Sequence, residues 1–293
     1  MNAHSGRHST SPDDCARYFP GHRVEEIRGS DLVSRINNAI GDGVAFVGVA
    51  GGDGTIRTGA EHLVGAATPL LAVPAGTRNH FAHQLGIVDL DAACRAAAGR
   101  VEAVDVGEVN GRCFINNAAI GMYPEMVKRR ETLQRRGLSK RAAQVVAVFA
   151  QLFRGHRFAV TMDGDTYRSW MIFVGNGHYG DDILDLTSRH TLNQAVLDIR
   201  LVRADRFLAR TRVLAALMVG RLHRSRLLVQ RTVGEIVFSF TTEGVDVSLD
   251  GELVSLEGPL RFRSRPGQLL VLLQPETGAT PHPHVLRHPP VRT

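Results

Sequence analysis

Read for apolar and polar positions, the chain changes character once. Its first third alternates apolar runs with segments of helical spacing, and its later part is a series of short apolar runs broken by turn residues. The sharpest run is Val44-Ala45-Phe46-Val47-Gly48-Val49-Ala50, which has no polar break and closes on Gly51-Gly52-Asp53-Gly54-Thr55. An apolar run followed by glycines and a helical pattern predicts a buried parallel strand feeding a helix, here from about Thr55 to Gly65. The pattern repeats with Pro69 to Pro74 as the run and Ala75-Gly76-Thr77-Arg78-Asn79-His80-Phe81-Ala82 as turn and helix start. Upstream, Asp13 to Phe19 and Asp31 to Ile40 predict helices, the second closed by Gly41, with a short strand from Arg23 to Ile27 between them. A helix from Asp89 to Gly99 and a strand opening at Arg100 end this part.

The later runs predict strands at Arg112 to Ile120, Phe158 to Met162, Ser169 to Val174, Ala195 to Val202, Leu227 to Gln230 and Glu235 to Phe240. Others are Val245 to Leu249, Leu260 to Phe262 and Leu269 to Leu273. Strands clustered in this way imply a second, antiparallel domain. Two helical patterns interrupt them. Ala142 to Phe153 follows the basic groups Lys128-Arg129-Arg130, Arg135-Arg136 and Lys140-Arg141. Arg206 to about Leu222 sets Leu208, Val213, Leu214, Leu217 and Met218 among Arg206, Arg210, Arg212, Arg221 and Arg224. Basic residues beside an apolar face suit a helix on anionic lipid, and equally a helix packed on the sheet with a solvated basic face. The ends read as polar and disordered, and His282, His284 and His288 in the Pro-rich tail have no metal-site spacing.

Composition narrows the partners. With 293 residues the chain has length for one large or two ordinary domains. A net charge of +6 admits nucleic acid, anionic membrane or phosphorylated ligands. Four Tyr and one Trp, without a nucleic-acid motif, speak against the first. No apolar segment reaches the ~18 residues that span a bilayer. The opening MNAHSGRHSTSP lacks the apolar centre of a secretory signal. Cys15, Cys94 and Cys113, odd in number and without metal spacing, read as reduced cytoplasmic thiols.

The glycine turns are where chemistry concentrates. Glycines let backbone N–H groups approach a ligand closely, and the following helix points its positive end at the same place. Asp53 would be repelled by bare phosphate, so it argues for a phosphate bridged by a metal. The plain alternative is a strand-to-helix turn. Thr77 and Asn79 can cap the second helix or hold a ligand.

Taken together, Gly51-Gly52-Asp53-Gly54-Thr55 and Pro74-Ala75-Gly76-Thr77-Arg78-Asn79-His80-Phe81-Ala82, followed by Leu85-Gly86-Ile87, resemble the catalytic domain of the bacterial diacylglycerol and sphingosine kinase family. The first motif is shared with NAD kinases and phosphofructokinases; the second, at this spacing, resembles the lipid kinases specifically. The similarity continues through Val104-Asp105-Val106-Gly107, Phe114-Ile115-Asn116-Asn117 and Asp250-Gly251-Glu252, and so spans residues 22 to 275.

That resemblance implies an α/β fold with an N-terminal doubly wound domain of the NAD kinase and lipid kinase type and a C-terminal antiparallel β-sandwich domain. The expected divisions are a disordered or truncated segment at 1–20, a nucleotide-binding domain at 21–104, a β-rich domain at 105–275 and a tail at 276–293. It implies ATP and Mg²⁺ as cofactors, held by Gly51, Gly52, Asp53, Gly54, Thr55, Gly76, Thr77 and Asn79. Asp53 is then the metal ligand and a catalytic residue, and Glu252 the catalytic base that takes the acceptor proton. Such a division of labour fits phosphoryl transfer, which needs a phosphate cradle, a metal and a group that orients the acceptor. Asp-Gly before Glu252 is also an ordinary hairpin turn, in which Asp250 does turn chemistry. Asp105 either supports the site or caps a neighbour.

The expected reaction is ATP-dependent phosphorylation of a hydroxyl of diacylglycerol or a related lipid. An NAD kinase-like enzyme and a catalytically silent lipid-binding relative are the alternatives. The expected partners are the lipid substrate and an anionic membrane surface, with no nucleic acid and room for a homodimer. The expected location is cytoplasmic and peripheral to the membrane. Three departures stand out. Nothing matches the opening strand and Asn-Pro-x-Ser/Ala-Gly loop of relatives. His80 stands where they carry Asp. Gly177-His178-Tyr179-Gly180-Asp181-Asp182 resembles the loop before their structural metal site, but Asn193-Gln194 replaces the later Asp-Gly, so no structural metal is expected.

Overall fold

The computed structural model describes residues 11–27, 29–76, 79–122, 157–180, 191–206, 208–218 and 225–275, with positions 129, 132, 133, 136, 137, 146 and 189 between them. In chain order the elements begin with α1 (Pro12–Tyr18), α2 (Leu32–Gly41), β1 (Val47–Gly51), α3 (Asp53–Leu63), β2 (Leu70–Pro74), α4 (His80–Gln84) and α5 (Leu90–Ala97). There follow β3 (Arg100–Val109), β4 (Arg112–Phe114), β5 (Asn117–Gly121), β6 (Phe158–Met162), β7 (Asp165–Asn176) and β8 (Leu197–Arg203). The last are α6 (Ala209–Met218), β9 (Leu228–Val233), β10 (Glu235–Phe240), β11 (Gly244–Leu249), β12 (Glu252–Glu257) and β13 (Leu260–Leu273). They form two compact units. The first is built from the chain up to Val106, Ser188–Ala195 and the chain from Arg265; the second is Gly107–Thr187 with Val196–Ser264.

The first unit is an α/β layer. β1 and β2 pair in parallel from Val47↔Leu70 to Gly51↔Pro74, and β13 adds in parallel to the other side of β2 at Val271↔Leu70. Every residue of β2 is buried, as a strand flanked on both sides requires. β1 differs from the wholly buried strand that its apolar run predicts. It starts three residues late, at Val47, and only Val49 and Gly51 are buried. Its position at the end of the strand order explains this, because an edge strand keeps one side open. α3 packs through Ile56, Ala60 and Leu63, spaced as one helical face demands.

At the front, Ser11 and Asp14 cap α1 reciprocally. The Asp14 amide donates to Ser11 Oγ at 3.0 Å, and the Ser11 amide donates to Asp14 Oδ2 at 3.0 Å. The Ser11 hydroxyl, which donates to Asp14 Oδ2 at 2.7 Å, and then the Ser11 amide hold the Asp14 carboxyl below the usual carboxylate range. The predicted strand from Arg23 to Ile27 does not form. Its polar side chains are engaged locally instead, with Glu25 paired to Arg23 and, at 3.6 Å, to Arg35.

The second unit is antiparallel. β7 lies between β5 and β6 and also pairs with β8, which pairs with β9; β5 continues to β11 and then β12. The run Trp170-Met171-Ile172-Phe173-Val174 is buried on both faces. Ile172 and Val174 join a core with Phe114, Leu197, Ile199 and Phe238, whereas Met171 and Phe173 join another with Trp170, Tyr179, Ala209 and Val213.

Several predicted elements change here. The single strand from Arg112 to Ile120 is two, β4 and β5, parted at Ile115-Asn116. β12 was not predicted; it is exposed for most of its length and carries acidic residues at both ends, so it lacks an apolar signal. The helix predicted from Arg206 to Leu222 spans Ala209–Met218. It buries Ala209 and Val213 in the core and leaves Arg212 exposed, which is the sheet-packed arrangement. The predicted helix from Ala142 to Phe153, most of the basic stretch before it and the 276–293 tail lie outside the described residues. Among the described residues, no helix is long and apolar enough to cross a membrane.

Ala195 holds φ at 57°, in the left-handed region that disfavours a Cβ. Ala195→Gly removes that strain and should raise stability by about 0.5–1 kcal/mol, net of glycine's larger unfolded-state entropy. A thermal melt checks this, and a lowered midpoint would contradict it.

Candidate active site

The two glycine turns meet in the first unit. Each follows a parallel strand, and because β1 and β2 are paired in register, their C-terminal ends lie side by side. The contact is backbone on backbone. A Cβ built on Gly76 would stand 2.4 Å from the Gly52 Cα and 3.0 Å from the Gly52 amide nitrogen. No side chain fits at position 76, which is the physical reason for glycine there, whereas a Cβ on Gly52 would meet the Gly76 Cα only at 3.6 Å.

Polar groups lock this approach. The Ala75 amide donates to the Gly51 carbonyl at 3.1 Å. Asn79 sits in the left-handed region, at φ 50° and ψ 39°, before the first residue of α4. Its side chain does not cap that helix. Instead Oδ1 accepts from the Gly76 amide and Nδ2 donates to the Gly76 carbonyl, both at 2.9 Å. Asn79 therefore clamps the second turn from both sides, and its place among the predicted cofactor-binding residues is that of a clamp on the loop. Asp53 crosses in the other direction: its Oδ1 accepts the Phe81 amide at 3.2 Å and ties the start of α3 to α4.

The start of α3 is open. Gly52 is its N-cap and makes no side-chain cap, and the first intrahelical bond runs from the Ile56 amide to the Gly52 carbonyl at 3.0 Å. The amides of Asp53, Gly54 and Thr55 thus have no intrahelical acceptor, and they sit at a half-buried surface. Donors of this kind at a helix N-terminus bind anions well. Gly51 is buried under the turn; Gly52, Asp53, Gly54, Thr55, Gly76, Asn79 and His80 are half-buried. Thr77 lies outside the described residues. Asp53 has its second oxygen left for a ligand, which fits a metal that arrives with a phosphate. Among the described residues no cluster of three or more His, Cys, Asp or Glu forms a metal cage by itself.

Glu252 belongs to the second unit. Leu249 pairs with Glu252 across a two-residue turn made by Asp250 at φ 49° and Gly251 at φ 94°. Two successive positive φ values define the hairpin turn for which Asp-Gly is suited. Glu252 is exposed as the first residue of β12. Asp250 is committed elsewhere. Its Oδ2 accepts from the Ile115 amide at 2.8 Å, and its Oδ1 accepts from Asn116 at 2.8 Å and Asn117 at 3.0 Å. The turn is thereby fastened to the break between β4 and β5. Asp105, only 4% exposed, accepts amides from Ala195 at 2.6 Å and Gly267 at 2.9 Å, the role of a cap on neighbouring segments.

Comparison with known proteins decides the family. A family model described as "Diacylglycerol kinase catalytic domain" matches residues 16–109, the stretch that contains both glycine turns. A Pseudomonas syringae pv. tomato protein named "Probable lipid kinase YegS-like" is 30% identical over 86% of this chain and 84% of its own length. A Pseudomonas fluorescens protein of the same name is 30% identical over 83% and 82%. The chain belongs to the bacterial lipid kinase family. Its fold is that of the family's solved members. A structure titled as a diacylglycerol kinase from Bacillus anthracis superposes with a TM-score of 0.62, at 21% identity, over 91% of this chain and 89% of that one. The two-domain α/β architecture expected from the sequence is the one found.

For a lipid kinase built in this way, the Gly52–Gly76 contact is the least replaceable feature of the first unit. Gly76→Ala pushes a methyl group into backbone that cannot swing aside, as a flexible side chain could. The variant should lose about 2 kcal/mol or more of stability and bind ATP at least tenfold more weakly. Melting and equilibrium binding check the two effects. Unchanged values for both would mean that the loops need no close contact.

Proposed function

We propose that this chain transfers the terminal phosphoryl group of ATP, bound with Mg²⁺, to a hydroxyl of diacylglycerol or a related lipid alcohol. The observation that carries this reading is the open N-terminus of α3 against the Gly76 turn. Three backbone amides and a helix dipole there face solvent beside a single carboxylate. Phosphates supply the negative charge that such a cradle lacks, and Asp53 gives one hard oxygen to a cation that keeps most of its ligands from phosphate and water. When bound, that cation would neutralise charge developing on the transferred group.

The residues of the chain do the positioning. Asp53, Gly54 and Thr55 offer amides to phosphate oxygens, while Asn79 keeps Gly76 in place beneath them. Glu252 is the proposed base: an exposed carboxylate on a turn fixed by three backbone amides can take the acceptor proton without rearrangement of its support. A lipid acceptor must be reached at a membrane surface. The exposed arginines Arg206 and Arg212, before and within α6, supply positive charge that anionic lipid would attract.

The test is Glu252→Gln. The charge is lost and the shape is kept, so transfer of labelled phosphate to lipid should fall by about 10²–10⁴, with ATP affinity and the melting midpoint unchanged. The wild type is assayed in parallel on diacylglycerol, sphingosine and NAD. Normal turnover in the variant would leave Asp-Gly-Glu as a hairpin turn alone. A wild type active only on NAD would replace the lipid acceptor, and one inactive on all three would favour a silent lipid-binding protein.

A further inference from the structure

We infer that Tyr179 is a positioning residue for the hairpin that carries Glu252, acting through the carbonyl of Asn116. The consequence for turnover rests on the lipid kinase reading above, but the mechanical claim does not.

Asp250 fixes one side of the break between β4 and β5 by taking the amides of Ile115, Asn116 and Asn117. The carbonyls of the same segment face a second set of donors. Tyr179 Oη donates to the Asn116 carbonyl at 2.7 Å, and the Asn176 amide donates to it at 2.9 Å. Asn176 Nδ2 donates to the Ile115 carbonyl at 3.0 Å. The Asn117 carbonyl, in turn, accepts the Asp250 amide at 2.9 Å. Residues 115–117 are thus gripped from both edges of the peptide, with the turn before Glu252 on one edge and Tyr179 on the other.

Tyr179 can act in this way because it is itself immobilised. It is 1% exposed, and its ring meets Phe173 edge-on with centroids 5.3 Å apart. Gly175 leaves the space for that ring, since a Cβ there would stand 2.4 Å from Tyr179 Cδ2. The backbone of Tyr179 is held by a buried ion pair. Asp198 Oδ2 accepts its amide at 3.1 Å and the Arg200 guanidinium at 2.7 Å, and Arg200 Nη2 also donates to the carbonyls of Tyr179 at 2.9 Å and Gly180 at 2.8 Å. Asp198 and Arg200 are essentially inaccessible to water, where a fully bonded ion pair gives a rigid support. Tyrosine suits this position because its hydroxyl reaches from an apolar pocket to the second lone pair of a carbonyl whose first is taken by the Asn176 amide.

The experiment is amide hydrogen exchange on Tyr179→Phe, which keeps the ring and removes only the donor. Exchange at Ile115, Asn116 and Asn117 should quicken about tenfold, the value of one neutral buried hydrogen bond. The amides of β1 and β2 should be unaffected. Turnover on the lipid acceptor should fall about tenfold, with KM for ATP unchanged. Tyr167→Phe is the control. Its hydroxyl bonds Asp165 at the other end of β7, so neither readout should move. Unchanged exchange at residues 115–117 in Tyr179→Phe overturns the inference, as does normal turnover beside quickened exchange. If the wild type phosphorylates no lipid, the kinase reading fails while the exchange result still decides whether Tyr179 holds the hairpin.

Discussion

The first unit depends on one close approach, that of the Gly52 and Gly76 backbones. Two parallel strands in register bring two strand-to-helix turns to the same level, and only a residue without Cβ at position 76 lets the chains touch there. The rest of the site follows from holding that approach. Asn79 accepts a left-handed backbone so that both ends of its amide can grip Gly76. Asp53 reaches back to the Phe81 amide. The amides at the start of α3 are left uncapped by the chain, and nucleotide phosphates are the ligand proposed for them. An open helix N-terminus beside a metal-competent carboxylate is the chemistry that those phosphates call for.

On the proposed role of Glu252, the second unit has a different task, that of holding one carboxylate steady on an exposed strand. A two-residue turn gives direction to Glu252 but little rigidity, because short hairpins are marginal by themselves. Rigidity comes from distant partners: Asp250 takes three amides from residues 115–117, and that segment is braced by Tyr179 and Asn176. Behind them stands the buried Asp198–Arg200 pair. Each link is a hydrogen bond that would be costly to leave unmade in a dry interior, so the mesh tends to hold or fail together.

What the sequence makes legible follows from how local each cause is. The glycine turns and their helices stand out because a tight turn restricts residue choice within a few positions. The family and its two-domain α/β fold follow from those motifs. β12 is silent in sequence because it is an exposed edge strand whose partners on β11 supply the pairing. The break at Ile115-Asn116 is also silent, since its cause is a carboxylate 135 residues away. The same holds for Asn79, readable as a cap but employed as a clamp on the preceding turn. Tyr179 left a faint signal, a tyrosine within a glycine-rich loop, yet its role depends on Asn116 across 63 residues. For the helix after Arg206, apolar spacing alone does not separate core from membrane; the burial of Ala209 and Val213 does.

The central claim is that the N-terminus of α3, beside the Gly76 turn, receives nucleotide phosphates. The most direct measurement is amide exchange, resolved by residue, with and without saturating Mg²⁺–ATP. Protection concentrated at Asp53, Gly54 and Thr55 is the predicted result, because those amides, which lack an intrahelical acceptor, would exchange water for phosphate oxygens. Tight ATP binding that leaves these three amides unchanged and protects residues elsewhere would contradict the account.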